Sequence, residues 1–233
     1  MIYFTGDIHA NMDERKTFFD TLTENDILIV LGDFGYSWNK NIMQIWNDFH
    51  FPFTTLSVLG NHENYSAIYE IYPRDNKFGG EVYKFNDNTF YLKNGEMYYI
   101  EGHKFLVFGG ALSIDKAMRV PYISWWEQEQ PTMADYNRAL ENLKKNDYKF
   151  DELLTHTGSN EEVFNMFMFS QRVKDTTQDM IENIIEEIKK NGGKFNNHFF
   201  GHMHEFVEEN YGDYHSYCLY RQIYDYNNRK FLE

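Results

Sequence analysis

Apolar residues along this chain gather into short unbroken runs. IYFT (2–5), ILIVL (27–31), TTLSVL (54–59), FLVF (105–108), ELLT (152–155) and HFF (198–200) each stop at a polar turn, usually one containing glycine. Runs this short and continuous predict strands buried on both faces. Four intervening segments read as helices: 13–23, 40–49, 132–146 and 175–191. The third follows Pro131 and opens with Thr132 as N-cap and Asp135 three positions on, close to a capping box. The fourth carries Met180, Ile184, Ile185 and Ile188 at helical spacing and stops at Gly192-Gly193. These stripes read as core packing.

Residues 81–110 break the alternation. EVYKF, TFYL and EMYYIEG are strand-like, and Asn94-Gly95 is a hairpin turn signal, so an antiparallel meander is expected there. The tyrosine-rich tail DYHSYCLYRQIYDYNNRKF predicts further antiparallel strand. The chain contains no internal repeat, low-complexity tract or linker. The expected organisation is one domain over 1–233, with a meander and cap-like segment near 81–131.

Composition narrows the class. A length of 233 residues, 42% hydrophobic and 18% aromatic, supplies a sizeable core. A net charge of −14 argues against a broad footprint for the phosphates of a long nucleic acid, although an anionic substrate can still be held by metal cations in a pocket. Cys218 is the single cysteine, which precludes an intramolecular disulfide and fits a reducing compartment. No apolar run reaches transmembrane length, and MIYFTGDIHAN lacks a signal-peptide pattern, so a cytoplasmic protein without membrane attachment is expected.

The polar residues that follow the apolar runs carry the candidate chemistry. They are Gly6-Asp7-Ile8-His9, Gly32-Asp33-Phe34-Gly35, Gly60-Asn61-His62-Glu63, His156 and Gly201-His202-Met203-His204. Singly, each has an ordinary reading as a turn carboxylate, an Asx-turn or a structural histidine. Five in chain order, each where a strand should end, point to a site at the carboxyl edge of a sheet.

The order D-x-H, G-D, G-N-H-[DE], H, G-H-x-H resembles the calcineurin-like metallophosphoesterase superfamily, and its signatures span residues 6–204. The resemblance implies an α/β fold, a four-layer α/β/β/α sandwich of two mixed β-sheets flanked by helices. It also implies two divalent metal ions. Asp7, His9, Asp33 and His204 would hold one; Asp33, Asn61, His156 and His202 would hold the other, with Asp33 bridging. His62 would stand beside the leaving group. Imidazole and carboxylate ligands suit Mn, Fe, Zn, Co or Ni, with Mn favoured here. The implied activity is hydrolysis of a phosphate ester, monoester or diester, on a small phosphorylated or nucleotide substrate, with Asp33 and His62 the catalytic residues.

Serine/threonine protein phosphatases of the superfamily extend the second motif to G-D-x-V-D-R-G. Here it reads GDFGYSWNK, without the aspartate that pairs with the catalytic histidine or the arginine that clamps phosphate. The stretch GGALSIDKAMRVPYISWWEQEQP (109–131) resembles a segment of small bacterial and phage phosphoesterases of the superfamily. Arg119 or Lys116 is therefore a candidate phosphate clamp. Trp125 and Trp126 are candidates to stack a base, or else core residues. Two rival functions stay open: a protein-phosphatase-like activity, and a non-catalytic protein that binds a phosphorylated ligand.

Overall fold

The unbroken apolar runs become the inner strands of two sheets. A computed structural model describes residues 1–11, 15–36, 51–168 and 174–232. Strands β1 (Ile2–Thr5), β2 (Ile27–Val30), β3 (Thr54–Ser57), β4 (Arg74–Lys77), β5 (Gly80–Lys84) and β6 (Thr89–Leu92) belong to the first sheet. Strands β7 (Met97–Ile100), β8 (His103–Phe108), β9 (Glu152–Thr155), β10 (Asn197–Phe200), β11 (Val207–Asn210) and β12 (His215–Cys218) form the second. β13 (Ile223–Asp225) and β14 (Lys230–Leu232) return to the first. The orders are β14-β13-β1-β2-β3-β6-β5-β4 and β11-β12-β10-β9-β8-β7. Each sheet is parallel at its centre and antiparallel at its edges.

Three apolar cores define four layers. Between the sheets, Phe4, Ile29, Leu56 and Phe90 meet Phe105, Val107, Leu154 and Phe199. The outer face of the first sheet, with Leu28 and Val30, is covered by Phe19 of α1 (Lys16–Phe19) and by Tyr65, Ile68 and Tyr72. The outer face of the second, with Leu106 and Leu153, is covered by α2 (Met133–Lys145) and by α4 (Thr176–Lys190), which follows α3 (Asn160–Phe167). Successive residues of one strand enter different cores, so the runs show no polar alternation.

The expected capping box is present: Thr132 N–H donates to Asp135 Oδ2 at 2.9 Å, and Asp135 N–H to Thr132 Oγ1 at 3.3 Å. Of the expected helix 13–23, the described part is helical only over Lys16–Phe19; the expected helix 40–49 lies outside the described residues. Helix α3, not anticipated from the pattern, starts at its own capping box of Ser159 and Glu162. The Asn94-Gly95 hairpin is corrected. Both edges of β6 are taken, by β3 and β5, so β7 has no place beside it and pairs with β8 in the other sheet. Asn94-Gly95 is the crossover between sheets, and the meander is β4-β5-β6.

Candidate metal centre

Every motif residue lies just beyond the carboxyl end of a parallel strand. Asp7 and His9 follow β1, Asp33 follows β2, and Asn61 and His62 follow β3. From the second sheet, His156 follows β9, and His202 and His204 follow β10. Their backbones are unusual: His9, Asp33, His202 and His204 have φ of 50°, 51°, 67° and 53°. Left-handed backbone is uncommon outside glycine and clusters where function holds it in place. Two glycines are required by close approach. A Cβ on Gly32, where φ is +89°, would lie 2.1 Å from His156 Nδ1, and one on Gly201 would lie 2.3 Å from Asp7 Oδ1.

The loops brace one another. Asp7 Oδ1 accepts the His202 N–H at 2.9 Å, and Asp33 Oδ1 accepts the His62 N–H at 2.7 Å. The Asp33 carbonyl accepts from Ile8 N–H at 3.1 Å and His9 N–H at 2.8 Å. Each carboxylate is thereby held by main chain from another motif, and its second oxygen points into the centre.

The remaining donors face one another there. His9 Nε2 and His204 Nε2 are 3.0 Å apart, and Asp7 Oδ2 is 3.0 Å from His204 Nε2 and 3.7 Å from His9 Nε2. Asp7 Oδ2 is buried and, beyond its approach to these two imidazoles, has no hydrogen-bond partner among the described residues. His156 Nδ1 donates to the Leu31 carbonyl at 2.7 Å, which directs Nε2 at Asn61 Oδ1 (3.0 Å) and Asp33 Oδ1 (3.3 Å). Three groups each bring ligand atoms within 4.8 Å of one another: Asp7, His9 and His204; His9, Asp33 and His62; Asp7, Asp33 and His156. His202 stands edge-on to His156, ring centroids 5.1 Å apart. A buried carboxylate oxygen met by imidazole nitrogens, and imidazole nitrogens that converge on oxygens, fit divalent cations with a donor set of nitrogen and oxygen.

Titration follows from the same crowding. Burial opposes ionisation of Asp33, but the charge of His156 outweighs it and brings Asp33 to about 2. Burial would lower His156, but Asp33 raises it to about 9. Burial, then repulsion from His156, takes His202 down to about 4. Burial opposes ionisation of Asp7 as well, yet hydrogen bonds from His204 and His9 hold it well below the usual range. Without metal, a proton on His156 does part of the neutralising that a cation would do.

The other expected residues sit differently from one another. Arg119 reaches His62: its Nη2 faces both ring nitrogens, at 2.9 Å from Nδ1 and closer to Nε2. Its Nε donates to Asp115 Oδ2 at 2.8 Å. Burial and then Arg119 push His62 below its ordinary value despite Asp33 nearby. Lys116 does not join them; its Nζ lies 4.0 Å over the Trp125 ring. Trp126 is in the core at 3% exposure, and its indole N–H donates to Ser66. It offers no open face to a base.

Several contributors were given no role by the sequence. Glu63, fully buried, accepts the Phe34 N–H at 2.8 Å and pins the Asp33 loop. Arg15 donates to the Asp7 carbonyl at 2.8 Å and to that of Tyr220, whose ring stacks on His204 with centroids 4.7 Å apart. Ser113 accepts from Asn61 Nδ2 at 3.0 Å. All act through partners remote in sequence. Only Glu63, already part of the third motif, could have been singled out.

The sequence profile described as calcineurin-like phosphoesterase matches residues 1–206. No curated protein matches the chain. Among solved structures, the phosphopantetheinyl hydrolase PptH of Mycobacterium tuberculosis aligns with a TM-score of 0.46 at 14% identity, over 94% of this chain and 89% of that one. A candidate 5′-nucleotidase of Staphylococcus aureus, in complex with alpha-ketoglutarate, aligns with a TM-score of 0.49 at 13% identity, over 99% of this chain and 52% of that one. The chain thus spans about half the length of the second.

Proposed function

The chain belongs to the calcineurin-like phosphoesterase family, and from that premise we propose that it hydrolyses phosphate esters at a dinuclear metal centre. Asp7, His9, Asp33 and His204 would hold one ion, and Asp33, Asn61, His156 and His202 the other. When bound, such a pair of divalent cations supplies an acidified water as nucleophile and positive charge for the phosphoryl oxygens. The observation that carries this reading is the meeting of Asp7 and His204, Asp33 and His156, from different sheets, with a buried carboxylate oxygen that faces imidazole nitrogens among them.

The chain's own side chains supply the remainder. Arg119 takes the part of the phosphate clamp missing from the second motif, with its guanidinium oriented by Asp115. Arg119 places a positive charge against His62, where burial and the guanidinium itself hold the histidine below its ordinary value. The exposed apolar strip of Ile114, Met118, Val120, Tyr122 and Ile123 flanks Arg119 in the chain and would meet the part of the substrate beyond its phosphate. A net charge of −14 favours a small phosphorylated or nucleotide substrate over long nucleic acid. The second motif, which lacks the aspartate and arginine of the protein phosphatases, argues against a phosphoprotein substrate. The lone buried Cys218 suits a cytoplasmic setting; among the described residues no helix is long and apolar enough to cross a membrane.

The test is hydrolysis of aryl phosphate mono- and diesters before and after chelation. Chelated protein should be inactive and manganese should restore it, with the ratio of the two rates assigning the ester class. Undiminished turnover by metal-free protein refutes the proposal.

A further inference from the structure

Asparagine is an ambiguous metal ligand. Its amide has an oxygen that binds a cation and an NH2 that repels one, and the two ends are nearly the same shape. Something must choose the end presented. Asn61 is 4% exposed, with Oδ1 toward His156 and Nδ2 toward Ser113. Ser113 in turn donates its only hydroxyl proton to Glu129 Oε2 at 2.6 Å, while its N–H donates to Glu129 Oε1 at 3.0 Å. Ser113 and Glu129 are 4% and 1% exposed. The 2.6 Å contact is in the range of a hydroxyl bonded to an ionised carboxylate.

We propose that Glu129, through Ser113, sets the polarity of the Asn61 amide and so holds its oxygen toward the second metal position; both are positioning residues. The inference rests on the dinuclear reading above. As a carboxylate, Glu129 only accepts. It therefore takes the Ser113 proton and leaves the Ser113 oxygen free to accept from Asn61 Nδ2. The direction of both hydrogen bonds at the Ser113 hydroxyl follows from one charge, carried on the 109–131 segment rather than on any ligand motif. Glu129→Gln reverses the chain. The Ser113 N–H claims the new amide oxygen, the new NH2 donates to Ser113 Oγ, and the hydroxyl turns its proton toward residue 61. The Asn61 oxygen is then drawn away from the metal.

Polarity makes a prediction that packing alone does not. An aspartate at position 61 can accept from the reversed hydroxyl with one oxygen and face the metal with the other. In the unmodified protein it would compete with Glu129 for a single proton. Manganese binding to metal-free protein, followed by titration calorimetry and by the EPR signal of coupled Mn(II) pairs, reads this directly. In E129Q the second ion should bind roughly 10- to 100-fold more weakly, with the first unchanged. S113A should show the same loss and S113T should not. Asn61→Asp should improve second-ion affinity by about tenfold more in E129Q than in the unmodified protein. Thermal melts of each variant establish that it is folded; should E129Q not fold, the S113A and S113T pair decides the matter alone. Two ions bound as tightly by E129Q or S113A as by the unmodified protein overturn the inference, as does an absence of coupling between positions 61 and 129. An unmodified protein that takes up fewer than two manganese ions overturns the dinuclear reading itself, and this inference with it.

Discussion

Glutamate 162 offers a test of how the fold is held, because its surroundings are buried and lie away from the ligands. Its Oε1 accepts from His198 Nδ1 and Ser216 Oγ, each at 2.7 Å, and its Oε2 from the Ser159 N–H at 2.7 Å. His198 Nε2 faces Thr155 Oγ1 at 2.7 Å, and that hydroxyl gives its proton to the Thr157 carbonyl, so both ring nitrogens of His198 face acceptors. Glu162 and His198 are both fully buried. Burial alone would raise the carboxyl, but the charge of His198 outweighs it and lowers Glu162 from 4.5 to about 2. At about 1.4 kcal/mol per pKa unit, that shift corresponds to roughly 3 kcal/mol of stability at pH 7. Breaking a buried pair by other routes costs a comparable 3–5 kcal/mol or so. Glu162→Gln keeps the shape and removes the charge, and sets an NH2 against donors. We expect a loss of about 3 kcal/mol at pH 7, a fall in Tm of roughly 6–12 °C for a chain of this size. The sign with pH follows from a depressed folded pKa. The contribution is complete above the unfolded value near 4.5 and fades as pH falls toward about 2. Denaturant unfolding of both proteins, metal-free, across that range should show the difference closing. A difference under about 1 kcal/mol at pH 7, or one that does not change with pH, refutes the reasoning.

Other perturbations address the centre. Asp33→Asn should lower kcat by about 10³-fold or more, beyond any other ligand change in the same assay, because one side chain is proposed to serve both ions. Gly32→Ala places a methyl 2.1 Å from His156 Nδ1 on a backbone at φ +89°; it should cost roughly 2 kcal/mol, or about 4–8 °C in Tm, and weaken manganese binding in calorimetry. Arg119→Ala should reduce kcat/KM about 10- to 100-fold, and Arg119→Lys should not restore it, since a point charge cannot match the two-pronged contact. Retention of normal kcat/KM in Arg119→Ala would remove Arg119 from the site.

Strand positions, helix caps and motif residues were legible before any coordinates because each is written within a few neighbouring positions. An unbroken apolar run announces burial on two faces. Thr132 and Asp135 announce a helix start. A glycine followed by a ligand type at a strand end announces a site. Partnership is not written that way. Asn94-Gly95 carries the local signature of a hairpin, yet β6 already had both neighbours, which no turn residue can report. Ser113 and Glu129 carry no signal of their own in the 109–131 segment, and only the fold brings Ser113 to Asn61, 52 positions away. Trp126 could have stacked a base or joined the core, and it is core, because burial depends on what packs above a residue and not on its type.

By itself, then, the sequence determined which residues could ligate and on which strands they end, since side-chain chemistry and backbone periodicity are local properties. The tertiary structure alone decided which oxygen of Asp7 and Asp33 accepts a main-chain N–H, which end of the Asn61 amide faces His156 and which cation stands beside His62. Those outcomes depend on distances of a few ångströms between segments far apart in the chain, where one displaced partner reverses a hydrogen bond.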